Sequence, residues 1–187
     1  MLPLNGARLV AIRFGAALLA VILAPEAARA DIPQAADARS IELNVHGRID
    51  QHCAMGALGG VDFGDITRPD AEAQQRVQLS CNVPFLIKIE AANGGLANLQ
   101  YPHGQGPYSG TLDYTLGVAI PLRRPNADVL QHSFTSRELL TGRTLSSGDG
   151  IAIDGMALTV ALGRPSGEAG LLAGDYGETI TITISPV

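Results

Sequence analysis

The chain of 187 residues carries 13 Lys and Arg against 18 Asp and Glu, a formal net charge of −5. It has one lysine, Lys88, and no basic run that could follow a phosphate backbone, which argues against nucleic-acid binding. The length suits one domain, and without tryptophan its core must be built largely from Ile, Leu, Val and Ala.

The N-terminus has the pattern of a secretory signal peptide, residues 1–30. Arg8 and Arg13 precede an uncharged apolar run at 14–24, and Ala28-Arg29-Ala30 supplies a small-x-small cleavage pattern. That run of eleven residues is shorter than the roughly 20 that a membrane-spanning helix needs. We therefore expect export, with residues 31–187 as the mature chain. Residues 31–39 are polar and Ala-rich, which favours a flexible N-terminus.

Cys53 and Cys81 are the only cysteines. A single pair in an exported chain predicts a disulfide, which in the chain-entropy model would stabilise the fold by about 3.5 kcal/mol. The alternatives are a metal site and a nucleophilic thiol. Neither cysteine has a CxxC partner or paired histidines nearby, as a zinc site would need. A free thiol would survive poorly in an oxidising compartment.

The mature chain has the alternating pattern of short β-strands. Ile41, Leu43, Val45 and Ile49 keep a period of two up to Cys53. A glycine-rich turn region follows at 56–64. Further alternating runs occupy residues 77–81 and 85–89, followed by a turn at 93–95 and a loop at 98–110.

The second half continues the pattern. The clearest run extends from Leu112 to Ile120, where Pro121 is expected to end the strand. Residues 129–134 and 139–145 are weaker candidates, and residues 158–162 alternate again. The strongest signal comes last, where β-branched residues fill every position from Thr179 and three isoleucines share one face: Ile180, Ile182 and Ile184.

No helical period occurs after the signal peptide, so the sequence predicts an all-β sandwich. The final strand is strongly apolar and little sequence follows it. We expect one of its edges to have no later partner within the chain. In an exported all-β protein this is compatible with a fold that another molecule completes.

Enzyme signatures are weak. Ser109 and Ser166 lie in Gly-x-x-Ser-Gly rather than in the Gly-x-Ser-x-Gly nucleophile elbow. The four histidines form no His-x-His pair, and the aspartates lack the density of a calcium loop. A carboxylate pair for glycoside hydrolysis is a matter of three-dimensional geometry, and the sequence singles out none. We expect no catalytic, metal or cofactor site.

Several short motifs, taken in order, resemble the spore coat U domain family, which contains the archaic, Csu-type chaperone–usher pilins. They are the first cysteine at Cys53, the pair Phe63-Gly64, the strand 77–81 that ends in the second cysteine, Tyr114-Thr115-Leu116, and the segment 174–179 (Gly-Asp-Tyr-Gly-Glu-Thr) before the last strand. The resemblance covers most of the mature chain.

The resemblance implies an immunoglobulin-like sandwich that lacks its last strand. A periplasmic chaperone would fill the exposed groove along the strand with Ile180, Ile182 and Ile184. The N-terminal extension of the next subunit would then replace the chaperone at an outer-membrane usher. The domains would be the signal peptide (1–30), the extension (31–49) and the pilin-like sandwich (50–187), and the product would be a surface fibre serving adhesion or biofilm formation.

The donor strand would comprise Ile41, Leu43 and Val45, extending to Ile49. Spacing favours this role, because a strand that reaches Cys53 needs only the last few residues and leaves Ile41 to Val45 free to project. The alternative is that the same residues form the first strand of the chain's own sandwich. The alternative function is a monomeric secreted or coat-associated binding module that uses loops such as 98–110.

Overall fold

The structure, a computed structural model, describes residues 40–68, 70–166 and 169–187. The predicted signal peptide (1–30) and residues 31–39 lie outside the described residues. The described residues fall into two units, divided between His46 and Gly47. Within the described ranges, no helix has the length and apolar character needed to cross a membrane.

The second unit is all-β, as the sequence predicts. One short 3-10 helix, Glu138–Thr141, interrupts the strands of the described residues. The strands are β1 Cys53–Met55, β2 Glu72–Val77, β3 Leu79–Cys81, β4 Phe85–Ala91, β5 Leu96–Asn98, β6 Thr111–Leu112, β7 Tyr114–Leu122, β8 Asp128–Thr135, β9 Arg143–Ser146, β10 Met156–Leu162, β11 Tyr176–Gly177 and β12 Ile180–Pro186.

The strands pair into antiparallel sheets. The larger sheets have the orders β2-β10-β7-β8 and β12-β4-β9, and the smaller ones have the orders β11-β5-β6 and β1-β3. Alternate side chains of β4 and β7 are fully buried in one shared hydrophobic cluster. The two larger sheets therefore enclose a common core built from the alternating positions of their strands.

The prediction that Pro121 ends its strand is wrong, because β7 continues to Leu122. Ser136 N–H donates to Tyr114 O (2.8 Å), so even-numbered residues of β7 make the hydrogen-bonded pairs with β8. The nitrogen of Pro121 then faces the side of β10. The pairing of β10 with β7 ends with Ala157 opposite Ala119, so β10 stops short of Pro121. A missing N–H is tolerated where no partner strand needs it.

Residues 139–145 do not form one strand. Leu139 is buried while Leu140 is 52% exposed, and the N–H of Gly142 donates to Leu139 O (3.1 Å) to close a 3-10 turn. Gly142 then takes a φ of 72°, which suits glycine, and β9 begins only at Arg143.

The predicted run 77–81 is also divided. Val77 pairs with Met156 of β10, whereas Leu79 pairs with Met55 of β1, so the chain passes from one sheet to another at Gln78. The alternation survives this change of partner. For that reason the sequence pattern alone predicts a single strand over residues 77–81.

The run from Ile41 to Cys53 is a strand only from Cys53 onward, and residues 40–52 have no strand assignment. Pairing starts where Cys53 lies opposite Cys81, and the predicted disulfide between these two cysteines is confirmed. Just before it, His52 N–H donates to Asn82 Oδ1 (2.7 Å) and Asn82 Nδ2 donates to Asp50 O (2.9 Å). These bonds and the disulfide fix the chain where β1 begins.

Replacing both Cys53 and Cys81 with serine should lower the free energy of unfolding by about 2–5 kcal/mol, because the cross-link restricts the unfolded chain. Urea unfolding followed by circular dichroism measures the change. Dithiothreitol provides the control, since it should lower the midpoint of the wild-type protein and leave that of the double variant unchanged. Equal midpoints for oxidised wild type and variant would contradict the stabilising role.

Candidate functional site

The outer edge of β12 presents unpaired backbone groups. Ala92 N–H donates to Thr179 O (3.0 Å), and Val187 N–H donates to Pro84 O (2.9 Å). In this antiparallel register the odd-numbered residues therefore make the bonds to β4. The N–H and C=O groups of the three isoleucines point to the opposite side, where no strand of the described residues is paired with β12: Ile180, Ile182 and Ile184.

The same isoleucines turn their side chains toward the core but are only partly buried there. The threonines between them, Thr181 and Thr183, are exposed. Each isoleucine thus combines an unsatisfied backbone with apolar surface that no neighbour fully covers. Both features lie along the same edge, and an exposed strand edge of this kind is able to pair with another extended chain.

A groove of about 440 Å³ runs beside this edge. Its floor is formed by inward-facing residues of the four-stranded sheet, among them Leu116, Leu158 and Val160. One side is formed by Ile180 and Ile182. The other side is formed by the chain after β1, through Leu58, Gly59, Gly60, Val61 and Phe63.

The side of the groove formed by residues 58–63 is exposed and loosely packed. Leu58 is 46% exposed, and a Cβ placed on Gly59 or Gly60 would meet no atom within 4 Å. Val61 and Phe63 are partly buried while Asp62 between them is exposed, which is the alternation of a strand without an assigned partner. The groove therefore has an apolar lining along both sides.

One end of the groove is polar. The carboxylate of Glu178 accepts the N–H groups of Asn93 (3.0 Å), Gly95 (3.0 Å) and Thr179 (2.7 Å). Tyr176 Oη donates to Leu172 O (2.6 Å). The Glu178 bonds tie the segment before β12 to the turn at 93–95. The Tyr176 bond instead joins two residues of that segment, Tyr176 and Leu172.

Gly174 in this segment has a φ of 146°, and a Cβ there would lie 2.7 Å from Asn98 Nδ2. Asn98 is itself buried, and its side-chain oxygen accepts the N–H groups of Gln100 and Tyr101 (both 3.0 Å). The glycine therefore permits a close approach that holds the polar end of the groove in place.

Tyr114, at the start of β7, was not predicted as a site residue. Its side chain lines the groove and is 2% exposed, and its hydroxyl has no hydrogen-bond partner among the described residues. Burial, with a smaller contribution from the negative charge of Glu178, raises the pKa of this phenol. Only the three-dimensional position of the hydroxyl distinguishes it from an ordinary core tyrosine.

The outer edge of β8 is protected, in contrast to that of β12. Because even-numbered residues of β8 bond to β7, the N–H groups of Val129, Gln131, Ser133 and Thr135 face outward. Asp128 Oδ1 accepts the first of these N–H groups (2.8 Å), and Glu138 Oε2 accepts the last (2.8 Å). Carboxylates thus cover both ends of this edge.

The predicted donor residues have highly exposed side chains. Their exposed fractions are 93% for Ile41, 82% for Leu43, 81% for Val45 and 88% for Ile49. Isolated apolar side chains on a surface are common, but four at alternating positions of one segment are not. Their role as a donor strand stays a prediction.

The other polar candidates do not form a reactive centre. Ser109 Oγ donates to Thr111 O (2.9 Å) within a turn. His132 stacks against Phe134, with ring centroids 4.3 Å apart. In the described part of the chain, no three His, Cys, Asp or Glu side chains converge as metal ligands would.

No protein-family model matches the chain, and no curated protein matches it. The function must therefore be inferred from the sequence motifs and the geometry of the groove.

Glu138→Ala should expose the outer edge of β8, because the carboxylate bonds both the N–H and the hydroxyl of Thr135 (2.8 Å each). We expect faster amide exchange at Thr135 by NMR and concentration-dependent association in sedimentation. The control is Glu90→Ala, which removes an equal charge that pairs with Lys88 instead. Unchanged exchange at Thr135 would contradict the protective role.

The same protection should depend on pH. The hydrogen bonds from Thr135 lower the pKa of Glu138, so its bonds stabilise the fold above the ordinary pKa of a glutamate and are lost as pH falls through the lowered value. The difference in Thr135 exchange between wild type and Glu138→Ala should therefore be present at neutral pH and vanish in strong acid.

Proposed function

We propose that the protein is a secreted structural subunit that polymerises by strand donation into a surface fibre. Residues 41–49 of one copy insert along β12 of another and occupy the groove. The observation that carries the proposal is the coincidence, at Ile180, Ile182 and Ile184, of outward-facing backbone groups with incompletely buried side chains. Ile180 and Ile182 also line the apolar groove.

The proposed donor matches this edge in spacing. Alternate residues of any extended strand lie about 6.6–6.8 Å apart on one face. Ile41, Leu43 and Val45 can therefore alternate with the isoleucines of β12 while the two backbones pair. Burying four apolar side chains, Ile49 included, contributes roughly 6–12 kcal/mol before the cost of ordering the segment is subtracted.

In this proposal the fold is an immunoglobulin-like sandwich without its last strand. A periplasmic chaperone covers the groove first, and a neighbouring subunit then replaces it at an outer-membrane usher. The spore coat U-like motifs support this assembly route, and the disulfide is compatible with an exported protein. The resulting fibre would serve adhesion or biofilm formation at the cell surface.

A monomeric binding module is the second candidate, and the loop at 98–110 favours it. Leu99 is 71% exposed, and Tyr101 and Tyr108 are each 46% exposed. The loop is held in shape by paired N–H···O bonds between Gln105 and Tyr108 (3.1 and 3.2 Å). An ordered loop with exposed aromatic rings suits a ligand surface, and in this case residues 41–49 would take no part in assembly.

Leu43→Asp should abolish fibres and leave the chaperone-bound monomer intact, because the variant would bury an unpaired charge in the neighbour's groove. Electron microscopy of surface fibres and co-purification with the chaperone measure the two effects separately.

Glu42→Lys is the matched control, since residue 42 lies on the opposite face of the same extended segment and should tolerate the change. If Leu43→Asp instead destroys the monomer, the segment is an internal strand and the binding-module proposal replaces strand donation.

The mature chain expressed without a chaperone should aggregate, because the edge of β12 stays open. Appending a second copy of residues 40–50 after Val187 through a flexible linker should give a soluble monomer, which sedimentation would detect. The control carries the Leu43→Asp change in the appended copy and should aggregate like the parent. A soluble, cooperatively folded monomer without any appended strand would argue strongly against the proposal.

A further inference from the structure

The outer face of the four-stranded sheet β2-β10-β7-β8 has small, uncharged side chains at its centre. The odd-numbered residues of β7 and β10 point away from the core, because their even-numbered neighbours point into it. A Cβ placed on Gly117 would meet only Thr159 of the neighbouring strand, so none of the described residues forms a second layer over this point. The outward residues of the two central strands are Thr115, Gly117, Ala119, Pro121, Ala157, Thr159 and Ala161.

The pairing register arranges the outward residues in three rows across the sheet. The middle row consists of Gln74, Thr159, Gly117 and Ser133. The rows on either side of it are Glu72, Ala161, Thr115 and Thr135, and Arg76, Ala157, Ala119 and Gln131. Glu72 and Arg76 carry the only charges in these rows, and they lie two residues to either side of Gln74.

These two charges are not paired within the described residues. Both side chains are exposed, and neither lies within 4 Å of a group of opposite charge. Asp154 lines the same surface pocket as Arg76 but makes its contact with Arg123, at 3.9 Å. Along an extended strand Glu72 and Arg76 are about 13 Å apart. Opposite charges at a fixed spacing on an otherwise uncharged face specify the orientation of a partner.

We propose that this face pairs with the same face of a second copy of the chain and so joins neighbouring fibres side by side. The link between fibres rests on the proposed strand donation. A twofold axis along the middle row sets the Glu72 of each copy opposite the Arg76 of the other, while the small central residues pack closely. An axis parallel to the strands instead sets Glu72 opposite Thr135 and leaves the charges unpaired. Charge complementarity therefore selects the first arrangement.

The size of the face suits a contact that is repeated along a fibre. Four strands spaced about 4.8 Å apart and three rows spaced about 6.7 Å apart cover roughly 400 Å² of each copy. A pair of copies then buries roughly 800 Å², below the ~1,000 Å² expected of a stable interface. The contact is weak between single subunits. Along two fibres it gains avidity, because each contact holds the next pair of faces together.

The first test reverses charges in the full-length exported protein and examines its fibres by electron microscopy. Wild-type fibres should lie in side-by-side pairs. Glu72→Arg sets like charges opposite each other at both ends of the contact, so this pairing should be lost. The double variant Glu72→Arg, Arg76→Glu restores complementary charges and should restore the pairs. Both residues point away from the groove, whose lining from β2 is Ala73 and Gln75, so fibres should form in all three proteins.

The second test locates the twofold axis by chemical cross-linking. Ser133 lies in the middle row and faces its own counterpart, so Ser133→Cys should give covalent dimers with a short thiol-reactive cross-linker. Thr115→Cys is the matched control, since Thr115 is also exposed on this face but lies one row from the axis. Its counterpart is displaced by about 13 Å along the strands. We therefore expect no covalent dimer from this variant.

The outcomes separate this inference from strand donation. Fibres that stay single in the wild type, that pair regardless of the charge reversal, or that cross-link equally at both positions show that the face-to-face contact is wrong and leave strand donation standing. If no fibre forms, strand donation fails. Cross-linking of the concentrated Ser133→Cys subunit then decides the contact alone: dimers support it, and their absence overturns it.

Discussion

The proposed assembly depends on one feature of β12: the same residues direct their side chains inward and their backbone groups toward the free edge. Both side-chain direction and hydrogen-bond direction alternate with a period of two in an antiparallel strand. In β12 the residues that turn inward are also the residues whose backbone faces the free edge. An extended chain lying along this edge would bond the backbone groups and cover the side chains together, as the proposed strand donation requires.

The outer edges of β8 and β12 differ in whether acceptors cover their outward N–H groups. At β8, carboxylates from the strand itself and from the following 3-10 helix accept the terminal outward N–H groups. At β12 the described residues place no such acceptor on the isoleucine N–H groups. Of these two edges, β12 rather than β8 would be the site of strand addition.

Strand positions were predictable wherever burial imposes strict alternation, as in β4, β7, β10 and β12. The predictions failed where the outcome depends on which strand, if any, pairs with the segment. Pro121 is tolerated because β10 ends short of it, and the run 77–81 divides because its two halves pair with different strands. The segment 139–145 has a mixed apolar pattern that fits a turn as well as a strand. Residues 41–49 would show the same alternation as a donor or as an internal strand, so no sequence pattern distinguishes these roles. The orphan hydroxyl of Tyr114 is likewise a property of its surroundings.

The position of the disulfide has a mechanical consequence for the proposed fibre. Tension on such a fibre would enter each subunit through residues 41–52 and reach Cys53 first. From there a covalent bond would carry it directly to Cys81. The segment between the two cysteines contains the side of the groove at 58–63 and the edge strand β2. Tension from the extension would therefore not peel this segment away from its end at Cys53.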